Sequence, residues 1–236
     1  MRVLVNRLIC SLVILLTCVS VMADRNQVKI IPLNSQQTLA WMQQSGNHSK
    51  FLNLIRYFVT QKTLAYCGVA SSVILLNTLK SSAPLERVHY PYRYFTQSNV
   101  FGLNILKQGI TPAKVNHSGM SIADVMALLS SHGLKTRAYH AGDMNYEQTK
   151  QVMVAAMKAP GEYILVNYYR PALHQVGGGH ISPVAAYDAK TDSFLLLDVA
   201  RYKYPPVWVD AKTLYAAMDT KDSRSTATRG FIVVHR

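Results

Sequence analysis

The feature that most constrains this chain is the run from residue 61 to residue 77. Val69, Val73 and Leu76 recur in it at the spacing of one helical face, so we expect a buried helix that begins near Cys67. A thiol on the first turn of a helix lies beside unpaired backbone N–H groups and the positive end of the helix dipole, which favour the thiolate. The run therefore predicts either a reactive cysteine or a small buried hydrophobe, the commoner role of a lone cysteine.

The first 23 residues resemble a secretory signal peptide. Arg2 and Arg7 form a cationic start, an apolar run covers residues 8–19, and residues 21–23 have a small-x-small cleavage pattern. We expect cleavage before Asp24 and an exported, periplasmic protein that is not stably inserted in a membrane once the leader is removed.

Two alternatives for the leader remain open. An uncleaved anchor would need roughly 20 apolar residues, more than this run offers. Lipidation at Cys18 would need a residue smaller than Thr17 before the cysteine. Loss of the leader removes Cys10 and Cys18, so the mature chain would keep Cys67 as its single cysteine. A lone thiol in an oxidising compartment is exposed to unwanted pairing, which favours a chemical role for it.

Length and composition indicate one globular domain over residues 24–236. The chain has 236 residues, 49% of them hydrophobic and 16% charged, which is enough for one good core or at most two small domains. The formal net charge of +13 could attract nucleic acid, an anionic envelope or an acidic small substrate. No stripe of aromatic residues alternates with the scattered Lys and Arg residues, so a nucleic-acid partner is not expected.

The order of secondary-structure patterns predicts an α+β fold. The N-terminal half reads mainly as helix and the C-terminal half as antiparallel sheet, with a cleft between the halves. Residues 81–99 lack a clean period and are expected to form an ordered loop. Predicted helices cover residues 35–44, 49–60, 67–77, 121–132, 146–158 and 210–218; predicted strands cover 134–140, 162–169, 180–187, 194–199 and 230–235, with a hairpin connection at 188–193.

Three further side chains could complete a cysteine-protease-like site with Cys67. His180 follows three glycines and opens a predicted strand, and Asp198 closes the next strand, so a hairpin would bring the two together. Burying an unpaired carboxylate at the end of an apolar strand costs free energy, and pairing with the imidazole of His180 would offset that cost. Gln61 could donate its amide to an oxyanion together with the backbone N–H of Cys67.

Each of these three residues also has a structural interpretation. His180 alone could be a satisfied structural histidine, Asp198 a turn or cap residue, and Gln61 a surface amide. The single mature cysteine favours the enzyme over these alternatives. No metal site is assigned, because the remaining histidines lack ligand spacing; they are His48, His89, His117, His132, His140, His174 and His235.

Three long motifs resemble the phytochelatin synthase family. The likeness runs from about residue 30 to the C-terminus and implies a papain-like fold, so that residues 24–236 would form one papain-like catalytic domain. The motifs cover residues 61–71, 178–188 and 197–209, with looser matches at 92–95, 109–111 and 229–231.

The resemblance implies a reaction with glutathione. Cys67 would attack the Cys-Gly peptide bond, glycine would leave, and a γ-glutamylcysteinyl thioester would form on the sulfur. His180 and Asp198 would complete the triad, and Gln61 would lie in the oxyanion hole. The resemblance also implies a homodimer.

The family's substrate-binding groups are an acidic residue and an arginine near the C-terminal strand. By position these would be Asp222 and Arg229, with Asp219 as an alternative; their charges suit an α-ammonium and an α-carboxylate. Arg201, next to the triad aspartate, would help to order the cleft.

The fate of the thioester is expected to differ from that in plant-type members. Those enzymes carry a cysteine-rich C-terminal domain and pass the acyl group to a second glutathione when heavy-metal thiolates are present. The present chain ends after the catalytic region without a spare thiol, like the short bacterial form. We expect water as the main acceptor, γ-glutamylcysteine as product and slow chain extension. No tightly bound cofactor is expected, and metals such as cadmium would enter as glutathione thiolates.

Two other functions use the same residues. A papain-like peptidase acting on ordinary peptides would need the same triad and would differ in substrate. A non-enzymatic exported module that binds thiols or metals would use Cys67 as a ligand, although one cysteine without neighbouring ligands argues against it.

Overall fold

The computed structural model describes residues 30–44 and 49–236. The predicted signal peptide lies outside these residues, so cleavage, lipidation and export stay predictions. None of the helices in the described ranges is long and apolar enough to cross a membrane.

One sheet forms the centre of the described chain, and every strand pair in it is antiparallel. The strand order is β1-β6-β5-β4-β3-β7-β2, so sequence neighbours β3, β4, β5 and β6 pair by hairpin-type connections. The strands are β1 (Ile30–Pro32), β2 (Lys135–His140), β3 (Tyr163–Tyr169), β4 (Gly179–Asp188), β5 (Ser193–Leu196), β6 (Val207–Asp210) and β7 (Gly230–His235).

Eight α-helices in the described residues cover both faces of this sheet, which confirms the α+β class. The helices are α1 (Gln36–Gln44), α2 (Ser49–Ile55), α3 (Cys67–Thr78), α4 (Leu103–Lys107), α5 (Pro112–Ser118), α6 (Ile122–Ser131), α7 (Tyr146–Lys158) and α8 (Ala211–Met218).

Alternate residues of the strands point to opposite faces of the sheet and contribute to two separate hydrophobic cores. Leu165 and Ile181 point into the core shared with α1 to α6, whereas Ile164 and Val184 point into the core shared with α7 and α8. The helical N-terminal half therefore packs against one face, as the sequence predicted, and the two later helices cover the other.

Helix α3 is buried almost from end to end, which fixes the position of its first residue. Val69 and Val73 are at most 1% exposed, and Gly68 lets helix α6 approach closely, since a Cβ there would lie 3.1 Å from Val125. Tyr66 caps the helix without a side-chain hydrogen bond. Cys67 is thus held rigidly at the open N-terminus of the helix.

The structure shortens two predicted elements and adds two helices and the strands β1 and β6. Helix α2 ends at Ile55 rather than at residue 60, and strand β5 ends at Leu196, although the N–H of Leu197 still donates to the carbonyl of Pro183 in β4 at 2.9 Å. Helices α4 and α5 are too short for periodicity to reveal. The predicted loop at 81–99 contains no regular helix or strand.

Candidate active site

A cleft of about 410 Å³ opens where the start of α3 meets β3, β4 and the segment before β7. Cys67 and His180 both line it. The predicted juxtaposition of these two residues, separated by more than a hundred positions, is therefore present in the fold.

The environment of Cys67 favours its thiolate. Burial alone raises the pKa of this thiol, but the hydrogen bond and charge of His180, with the backbone N–H groups of Ile181 and Gly68, outweigh burial and lower its pKa below the ordinary value. Cys67 is 9% exposed, and its access to solvent is through the cleft.

The imidazole of His180 lies between the thiol and a buried carboxylate. Burial lowers its pKa, whereas hydrogen bonds and charges from Asp198 and Cys67 raise it, and the net shift is upward. Nε2 lies 2.9 Å from Oδ1 of Asp198, and Tyr168 packs edge-on against the ring from the neighbouring strand. The opposite pKa shifts of Cys67 and His180 favour a thiolate–imidazolium pair.

Asp198 is fully buried and ionised. Burial raises its pKa, but His180 and Arg170 together hold it well below its usual range. Arg170 binds both carboxylate oxygens, with Nη2 2.9 Å from Oδ1 and Nη1 2.8 Å from Oδ2, and the N–H of Ala200 donates to Oδ1 at 2.8 Å. The carboxylate is therefore fixed independently of the histidine.

Arg170 is a functional candidate that the sequence analysis missed. It begins a short 3₁₀ helix directly after β3, and its N–H donates to the carbonyl of Gly178 at 3.0 Å. Nη1 also donates to Oε1 of Gln175 at 2.6 Å. Its position one residue beyond a strand that pairs with the His180 strand is the signal that could have identified it.

Gln61 lies near the triad without lining the cleft. Its N–H donates to the carbonyl of Val199 at 2.9 Å, and its side-chain Nε2 donates to the carbonyl of Thr63 at 2.7 Å and to the hydroxyl of Tyr202 at 3.1 Å. Both amide hydrogens are thus used, so its oxyanion role requires a small side-chain rotation and stays a prediction.

Asp222 and Arg229 line the same cleft as Cys67. Asp222 is 5% exposed, and Nδ2 of Asn167 donates to its Oδ2 at 2.8 Å. Nη1 of Arg229 donates to the hydroxyl of Thr220 at 3.0 Å and to the carbonyl of Lys221 at 2.6 Å. These contacts fix one carboxylate and one guanidinium in the cleft.

The other two candidate binding residues lie elsewhere. Asp219 is the exposed C-cap of α8, and Arg201 is exposed with its guanidinium over the ring of Phe58 at 5.1 Å. Neither lines the cleft, and the arginine that orders Asp198 is Arg170. Proximity in sequence suggested Arg201, but its side chain leaves the turn on the solvent side.

Glycine at position 179 makes room for the side chain of Arg229. A Cβ at Gly179 would lie 3.0 Å from both Nε and Nη2 of that arginine. The glycine run before His180 thus makes room for a guanidinium at the cleft floor, one residue from the imidazole.

We expect the reactivity of Cys67 to reveal its lowered pKa. The alkylation rate with iodoacetamide should rise through a pH below the ordinary thiol value of about 8.5, whereas the unfolded protein should titrate near that value. In His180→Ala the pKa of Cys67 should move upward, because only the backbone N–H groups of Ile181 and Gly68 then oppose the effect of burial. Coincident profiles for native and unfolded protein would contradict the ion pair.

A cysteine at the N-terminus of a buried helix, with a histidine on the facing antiparallel sheet and a buried aspartate just beyond one of its strands, defines the class of papain-like cysteine enzymes. No group of three or more His, Cys, Asp and Glu side chains in the described ranges could hold a metal ion. Sequence comparison narrows the class further. The chain belongs to the phytochelatin synthase family, whose model matches residues 23–231.

Relatives and one solved structure show the extent of this similarity. Glutathione gamma-glutamylcysteinyltransferase 2 of Arabidopsis thaliana is 35% identical over 193 residues, 82% of this chain and 41% of the relative. The glutathione gamma-glutamylcysteinyltransferase of Schizosaccharomyces pombe is 27% identical, over 81% of this chain and 44% of the relative. The chain thus spans less than half the length of these curated relatives. The peptidase domain of Streptococcus ComA matches with a TM-score of 0.42 at 12% identity, over 75% of this chain and 96% of that chain.

Proposed function

We propose that this chain cleaves glutathione at its Cys-Gly bond and forms a γ-glutamylcysteinyl thioester on Cys67. Family membership supports the substrate, since the relatives are named for transfer of this group. The observation that carries the proposal is the presence of the Cys67–His180 pair and the Asp222–Arg229 pair in one cleft.

The first half of the reaction follows from the thiolate–imidazolium pair. The sulfur of Cys67 attacks the carbonyl carbon of the cysteinyl residue, the C–N bond breaks, and the proton of His180 goes to the departing glycine amine. Asp198 keeps the imidazole oriented and stabilises its charged form. The backbone N–H of Cys67, at the open end of α3, is placed to donate to the developing oxyanion.

The cleft suits a γ-linked glutamyl group. A γ-linkage leaves the α-ammonium and α-carboxylate of glutamate free, and the carboxylate of Asp222 and the guanidinium of Arg229 complement these charges. An α-linked peptide uses both α groups in its backbone and so offers no such headgroup within the chain. This complementarity favours the glutathione reaction over a general peptidase.

We further propose water as the main acceptor. His180, now neutral, takes a proton from water, the hydroxide attacks the thioester carbonyl, and the C–S bond breaks to release γ-glutamylcysteine and the thiolate. Among the described residues Cys67 is the one cysteine, so no second thiol there can gather metal thiolates. Cadmium would act as a glutathione complex, and homodimerisation stays a prediction.

Intact-protein mass spectrometry after brief exposure to glutathione tests the proposal. We expect an adduct on Cys67 equal to γ-glutamylcysteine less water, followed by release of glycine and γ-glutamylcysteine, with few oligomers even when cadmium is added. The matched control is the isomer with an α-linked glutamate, which keeps its α-ammonium but carries the free carboxylate at the end of its side chain. Because the two charges are then no longer on one carbon, it should lose glycine at least about 10²-fold more slowly. Equal cleavage of the two isomers would indicate the general peptidase, and predominant oligomers would overturn the choice of water.

A further inference from the structure

The cleft contains more positive charge than a γ-glutamyl headgroup needs. Among the described residues that line it, Asp222 supplies the one carboxylate, whereas Arg224 and Arg229 each supply a guanidinium. Asp222 and Arg229 together satisfy one ammonium and one carboxylate. Arg224 is left for a second anionic group.

The contacts of Arg224 leave its guanidinium largely unpaired. Its Nε is buried without a hydrogen-bond partner among the described residues. Nη2 reaches Oδ2 of Asp124 only at 3.8 Å, and that oxygen already accepts two hydrogen bonds of 2.9 Å from Ser121. A buried donor without a partner costs free energy, which a bound carboxylate would recover.

The backbone fixes Arg224 relative to the rest of the site. Its N–H donates to Oδ1 of Asp222 at 3.0 Å, so the two residues form one turn at the cleft wall. A substrate whose ammonium lies on Asp222 therefore shares the cleft with this second guanidinium, which the length of the arginine side chain separates from the Asp222 backbone.

We infer that Arg224 binds the free carboxylate of the glycine that leaves, an inference that rests on the proposed function. Glutathione carries two carboxylates, and the second guanidinium matches the second of them. Binding at both ends of the tripeptide would hold its cysteinyl carbonyl within the cleft that Cys67 and His180 line.

This subsite also has a consequence for the acceptor. By microscopic reversibility, an amine that attacks the thioester follows the path by which glycine left. An acceptor with a free carboxylate beside its amine, such as glycine itself or a second glutathione, would use Arg224, whereas water would not. Loss of Arg224 should therefore lower transfer relative to hydrolysis.

The test combines Arg224→Gln with glutathione esterified at its glycine carboxylate. For the wild type, esterification should lower kcat/KM for glycine release by about 10- to 100-fold. Arg224→Gln should lower kcat/KM similarly for glutathione. It should have little further effect on kcat/KM for the ester, since the ester has no carboxylate to pair with the guanidinium. The ratio of transfer product to γ-glutamylcysteine should fall in the variant. Lys114→Gln, which removes an exposed charge from α5 without changing the lining of the cleft, should leave the rates with both substrates unaffected.

The outcomes separate this inference from the proposed function. If the wild type releases no glycine from glutathione, the proposed function itself is wrong. If the wild type cleaves the ester as fast as glutathione, or if the two losses multiply in the variant, the function stands and the role of Arg224 is overturned. The comparison of the two substrates on the wild type needs no variant. The inference can therefore still be contradicted if Arg224→Gln folds poorly.

Discussion

Replacing Cys67 by serine is expected to abolish glycine release from glutathione, with kcat lower by about 10⁴-fold or more. The sulfur of Cys67 forms the covalent bond with the substrate. An imidazole that can take the proton of a thiol does not ionise a serine hydroxyl at the same place. Neither the adduct on the protein nor the burst of glycine that accompanies acylation should appear. Single-turnover measurement of glycine with excess enzyme checks this expectation.

A second measurement shows whether the loss comes from the ion pair. The thiolate helps to raise the pKa of His180, so this pKa, followed by NMR titration, should fall in Cys67→Ser. Cys18→Ser is the control, because position 18 belongs to the predicted leader and should affect neither activity nor titration. Glycine release by Cys67→Ser at a rate near that of the wild type would show that another group is the nucleophile.

The sequence was sufficient for those features whose signals are local. The α3 helix was predicted because its apolar residues recur along a stretch that is buried almost throughout. The predicted starts of the helices at residues 121 and 210 are confirmed, because the side chains of Ser121 and Asp210 each accept a hydrogen bond from a backbone N–H three residues later. The hairpin that joins β4 and β5 follows from the polar run between two apolar strands.

Features that depend on tertiary contacts were missed or misplaced. Arg201 is three residues from Asp198 and was the natural candidate, yet Arg170, 28 residues away, forms the salt bridge with it. Nothing in local spacing distinguishes the two arginines, because the choice depends on which strand ends beside the carboxylate. Similarly, Asp219 and Asp222 differ by three positions, but the first ends a helix in solvent and the second faces the cleft.

Replacing Arg170 by methionine is expected to cause the largest loss of stability, about 3–5 kcal/mol in the free energy of unfolding. Arg170 and Asp198 are nearly or wholly inaccessible to solvent. The variant therefore leaves a buried carboxylate whose remaining partners are His180, the Ala200 N–H and, at 3.4 Å, the hydroxyl of Tyr168. Urea unfolding at neutral pH gives the difference. A change below about 1 kcal/mol would mean that the buried pair is not what holds this part of the fold.

The pH dependence of that difference has a defined sign. A carboxyl whose pKa is lower in the folded protein than in the unfolded chain stabilises the folded state at pH values above its pKa in the unfolded chain, about 3.9. This contribution is lost as the pH falls through the pKa in the folded protein. Without Arg170 the folded pKa of Asp198 moves up towards its usual range. The difference in the free energy of unfolding between the wild type and Arg170→Met should therefore decrease as the pH is lowered below about 4.

The same variant should identify Arg170 as a positioning residue rather than a merely structural one. At a temperature where it remains folded, kcat should fall by about 10²-fold, since a displaced Asp198 misorients His180, while KM for glutathione changes little because Arg170 does not line the cleft. Arg170→Lys should restore stability in part without restoring the two-pronged contact. The matched control is Arg201→Met, which removes an exposed arginine stacked on Phe58 and should cost about 1 kcal/mol or less. Equal effects of the two methionine variants on kcat would show that the orientation of His180 does not depend on the buried salt bridge.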